Sequence, residues 1–140
     1  MSEIASEFVA AATALARTLQ IFDELANRAI TGVWLREEHG SVAEILLDCD
    51  GPVLSALAEE DFDTLGMRLL RNRPSGTDFT DASHTEPWKS CIGQPFGWGW
   101  LTMNKQGYMD GLLLGFGEDI EPKIILNVVA SEIKVGTIRF

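Results

Sequence analysis

The sequence predicts an α+β domain in which an N-terminal amphipathic helix packs on a curved antiparallel sheet or partial barrel of about seven strands. Three observations carry this expectation. Ile4, Phe8, Ala12, Leu15, Leu19, Phe22 and Ala26 recur three or four residues apart, the period of one helix face. After Gly32 the apolar period falls to two, the period of a half-buried strand. The links between most apolar runs are short, and short links force consecutive strands to run antiparallel. A helix followed by strand-turn-strand is the α+β order.

The helix is expected over residues 1–28. Ser2 can cap it, and Glu3 and Glu7 lie where the helix dipole favours acids. Residues 30–70 form a first β section. Val33-Trp34-Leu35-Arg36 and Val42 to Leu47 read as a hairpin, turning through Glu37-Glu38-His39-Gly40-Ser41. Asp48-Cys49-Asp50-Gly51-Pro52 supplies the next turn, Val53 to Ala58 a third strand, and Leu65 to Leu70 a candidate fourth. Residues 71–87, RNRPSGTDFTDASHTEP, break the periodicity with Phe79 as their one large apolar side chain, and are expected to be a mobile polar loop. Residues 92–140 return to β, with strands at Phe96 to Met103, Tyr108 to Phe116, Ile124 to Ala130 and Ile133 to Phe140.

Composition bounds the function. The 140 residues are 46% hydrophobic and 23% charged, which suits a single domain over 1–140 and argues against disorder. No apolar run is long enough for a membrane span, and MSEIASE lacks the basic start of a signal peptide. Cys49 and Cys91 show neither disulfide nor zinc spacing, so a reducing cytoplasm is expected, with no cofactor or metal. The net charge of −10 is uneven: residues 1–66 carry 3 basic and 13 acidic side chains, whereas residues 67–140 carry 8 of each. Such a face repels nucleic acid and anionic membranes, and favours a basic protein partner. Glu59, Glu60, Asp61 and Asp63 place four acids within five positions and are the expected partner contacts.

Two stretches could carry chemistry. Glu44-Ile45-Leu46-Leu47-Asp48-Cys49-Asp50-Gly51 resembles the first motif of the haloacid-dehalogenase-like phosphatases, an apolar strand ending in D-x-D-G. That resemblance implies Asp48 as nucleophile and Asp50 as general acid/base beside magnesium. The same residues also read as an Asp-Gly hairpin turn, and the antiparallel context favours the turn because that family needs a parallel sheet. The second stretch runs from Ile92 to Gly111. Trp98 and Trp100 are two apart on a strand and share one face, with Asn104, Gln106, Tyr108 and Asp110 as neighbouring polar groups for a ligand. This pattern, I-G-x-P with W-x-W and N-x-Q-G-Y-x-D-G, resembles a family of small bacterial proteins of unknown function over residues 30–140. By size and charge the chain is also similar to immunity proteins, which neutralise toxins by binding. The expected function is therefore a non-enzymatic acidic binding protein, an immunity-type inhibitor of a basic toxin. The alternatives are a small-molecule binder using the Trp98/Trp100 face and a magnesium-dependent phosphatase.

Overall fold

The computed structural model describes residues 15–59, 63–76, 78–118 and 121–138. Within them the chain builds two antiparallel sheets. The first holds β1 (Gly32–Glu38), β2 (Ser41–Asp48), β3 (Val53–Glu59), β4 (Thr64–Leu70) and β5 (Phe79–Asp81), in the order β4-β3-β2-β1-β5. The second holds β6 (Phe96–Met103), β7 (Met109–Phe116), β8 (Ile124–Val129) and β9 (Glu132–Thr137) in sequence order. The single curved sheet or partial barrel of about seven strands is thereby corrected to two stacked sheets of nine strands among the described residues. The reason is burial: two separate sheets can each press one apolar face into a common core.

Alternation decides which side chains meet there. Val33, Ile45, Leu47, Leu54, Ala56 and Leu65 come from one sheet, and Phe96, Leu112, Leu114, Leu126, Val128 and Ile133 from the other, all in one buried cluster. The hairpin turns follow local chemistry. His39 and Gly40 both take positive φ between the paired Glu38 and Ser41, the geometry a two-residue hairpin requires. Asp50 and Gly51 do the same between β2 and β3, where Asp48 Oδ1 accepts from the Gly51 N–H at 3.2 Å.

A helix, α1, covers residues 15–25, and its expected beginning lies outside the described residues. Its buried positions are Phe22 and Leu25, whereas Leu19 is exposed and Ala26 lies beyond the last helical turn. The apolar stripe of the sequence is thus displaced, because α1 enters the core through Phe22 and Leu25, with Ile21 packed against it. Phe22 stacks on Phe96 at 6.0 Å, over the bare backbone of Gly99.

The polar stretch 71–87 has structure of its own. β4 and β5 are opposite edges of the five-stranded sheet, so the chain after Leu70 crosses from one edge to the other. The Arg73 guanidinium lies 3.7 Å over the Trp34 ring on the way, a cation–π contact. β5 then pairs with β1, and Trp88 is buried in a 3-10 turn, Trp88–Ser90. A three-residue strand between polar neighbours leaves too short an alternation to see in sequence.

Candidate functional site

The outward face of the second sheet is built by alternation between tryptophan and glycine. Gly97 and Gly99 flank Trp98 on β6, so Trp98 and Trp100 point the same way and their rings stack at 6.2 Å. Opposite them on β7 stand Gly115 and Leu113. A Cβ on Gly115 would lie 3.3 Å from the Trp100 ring, so the missing side chain lets the indole lie close to the sheet. On the next strands Ile125 lies close over Gly136 in the same way. Leu113, Ile125 and Trp100 are half-buried on this face, and Trp98, opposite Gly115, is 54% exposed. An indole in that position leaves a large apolar surface in water.

The polar groups expected beside the indoles mostly build the β6–β7 turn. Asn104 Oδ1 accepts from the backbone N–H groups of Gln106 at 2.9 Å and Tyr108 at 3.2 Å. Gly107, at positive φ, donates its N–H to the Asn104 carbonyl. Asp110 accepts from Thr102 Oγ1 at 2.8 Å. The structure therefore brings Trp98 and Trp100 together and places Asn104, Gln106 and Tyr108 at the far end of β6, with Tyr108 and Met103 exposed. Leu113 and Ile125 complete the apolar patch. Their alternation was readable, but which face of β7 and β8 meets solvent was not.

Of the four acids, Glu59 and Asp63 lie where the end of β3 and the start of β4 meet the β8–β9 link. Glu59 accepts from Thr64 Oγ1 at 3.0 Å, and Asp63 Oδ1 accepts from the Ser131 backbone N–H at 2.7 Å, fastening one sheet to the other. Glu60 and Asp61 lie outside the described residues. Glu59 shares a cleft of about 720 Å³ with Glu38, His39 and Glu132. The Lys134 ammonium, bonded to Glu132 at 3.0 Å, holds that carboxyl below its ordinary range.

The D-x-D-G stretch is the β2–β3 hairpin turn, with both flanking strands antiparallel to their neighbours. Among the described residues, no three His, Cys, Asp or Glu side chains are grouped so that they could hold a metal ion. Burial pushes the Cys49 and Cys91 thiols up to about 12, far from a nucleophile's range.

A second polar cluster escaped the sequence reading. Glu44, on the face of β2 turned away from the core, is almost fully buried. It accepts from Ser55 Oγ at 2.6 Å, Arg68 Nη2 at 3.1 Å and Arg36 Nε at 3.3 Å. Its one signal was a lone acid inside the apolar run from Val42 to Leu47.

No helix among the described residues is long and apolar enough to cross a membrane. No curated protein and no solved structure matches the chain. A family model does match, over residues 15–139, nearly the whole of both sheets and α1. The chain belongs to DUF6334, a family of unknown function.

Proposed function

We propose that this protein is a non-enzymatic binding protein that engages a basic partner protein through the outward face of β6–β9. The observation that carries the reading is Trp98, 54% exposed and stacked on Trp100, on the same face as half-buried Leu113 and Ile125. Exposed tryptophans on an apolar bed are the residues that dominate protein interfaces. The pair stands on an outward sheet face and not in the Glu59 or Phe116 cleft, and small molecules bind mostly in concave sites. The net charge of −10 supports a basic partner, with Glu59, Glu60, Asp61 and Asp63 contributing to the field that steers it. An inhibitor of the immunity type, which occludes the active surface of a cationic toxin, is the specific form.

The test is affinity capture from the source organism with wild type and Trp98→Ala side by side. A basic protein should be recovered by the wild type, and Trp98→Ala should weaken its binding by about 2–4 kcal/mol at unchanged Tm. Added salt should slow association. Equal recovery by Trp98→Ala would remove this face from the interface.

A further inference from the structure

A second cleft, of about 800 Å³, opens where the 3-10 turn faces the ends of β7, β8 and β9. Its size falls in the ~300–1,000 Å³ range of small-ligand sites. Phe116, Ile124 and Ile138 supply an apolar floor, of which Phe116 and Ile124 are buried. Among the described residues, the charged groups at its walls are Glu86 and Lys123. They are not equivalent.

Lys123 faces Glu121 at 3.5 Å, so its charge is already met by a carboxylate. Glu86 accepts from the Ser90 hydroxyl at 2.6 Å, a neutral donor, and meets no cation among the described residues. Among the described residues, the wall therefore presents the Glu86 carboxylate without a cation and with acceptor capacity to spare, above an apolar floor. Cys91, also in the lining, donates to the Trp88 carbonyl at 3.0 Å and is buried. That thiol is already engaged by a protein carbonyl.

We propose that this cleft binds a cation on an apolar stem, an amine or guanidinium whose N–H groups reach Glu86 while the stem lies on Phe116, Ile124 and Ile138. The chemistry is shared by a free arylalkylamine and by an arginine or lysine side chain of a partner. The proposal stands apart from the Trp98 face, which none of these residues belongs to.

The experiment titrates the full chain with 4-phenylbutylamine, 4-phenylbutyrate and acetyl-arginine amide, following the methyl resonances of Ile124 and Ile138. Either cation should shift both methyls, and phenylbutyrate should not. Glu86→Gln keeps an acceptor for Ser90 and removes the charge, and should weaken the cations about tenfold or more. Glu37→Gln, an exposed acid beyond the cleft, should change nothing. Tighter binding of phenylbutylamine than of the arginine amide assigns a free amine as ligand, and the reverse assigns a partner's side chain. Phenylbutyrate binding as tightly as the amine, affinity unchanged in Glu86→Gln, or no methyl shift at millimolar cation would each overturn the proposal.

Discussion

Glu44 is the residue on which the outer layer of the first sheet depends. Its carboxylate joins Arg36, Ser55 and Arg68 across β1, β2, β3 and β4. Removing one partner of a buried ion pair costs about 3–5 kcal/mol when both charges are enclosed. Here the Arg68 side chain is 54% exposed and returns to water when released. Glu44→Ala should therefore cost about 2–3 kcal/mol, read as a lower urea midpoint with unchanged slope. The two thiols give a pH signature of opposite origin. Each is raised from 9.0 to about 12 by burial, so the folded state keeps its protons where the unfolded chain loses them. Their stabilisation is complete below pH 9 and falls as the pH rises from 9 towards 12. Urea titrations should show that fall, and Cys91→Ala should flatten it. Native protein at pH 8 should also resist a thiol reagent that labels the unfolded chain at once.

At the scale of elements, much was legible because most strands are six to eight residues rich in apolar side chains and set between turn residues. The hairpin at His39-Gly40, the Asp48–Gly51 turn and the common direction of Trp98 and Trp100 all follow from local chemistry. What escaped was long-range. β5 pairs with β1, more than forty residues earlier, and no local period announces such a partner. The helix stripe was misaligned for a related reason. A periodic face shows which side of α1 is apolar, but the docking partner decides which turn is buried. That partner is a gap, the missing side chain of Gly99, into which Phe22 fits. A Cβ there would lie 2.6 Å from the Phe22 ring. Gly99→Ala should thus overpack the contact and cost about 1–3 kcal/mol. Phe22→Leu in the same chain should recover part of the loss, since the two sites are coupled. Additive losses in the double mutant would show that the helix docks elsewhere.

For the whole molecule, two stacked sheets leave two outward faces with different characters. That of the first sheet is closed by the Glu44 ion pairs and by Arg73 over Trp34. That of the second sheet is open and carries Trp98, Trp100, Leu113 and Ile125. Sequence could place the two indoles on one side of a strand, but not say whether that side met core or water, because the answer depends on how the sheets stack. The four acids were legible as a charge run, yet the structure engages Asp63 in joining the sheets and Glu59 in holding Thr64. The interface is therefore proposed to centre on the indoles, with the acids acting at longer range. Acrylamide quenching of tryptophan emission tests this most directly, because Trp98 is the most exposed of the four indoles. Trp98→Phe should markedly lower the quenchable emission of the free protein and leave the smaller share of the half-buried Trp34 and Trp100, since Trp88 is buried. Saturation with the captured basic partner should protect the wild-type emission from quenching and shift it to the blue. Unchanged quenching of Trp98 in a saturated complex would contradict the account and place the partner on another surface.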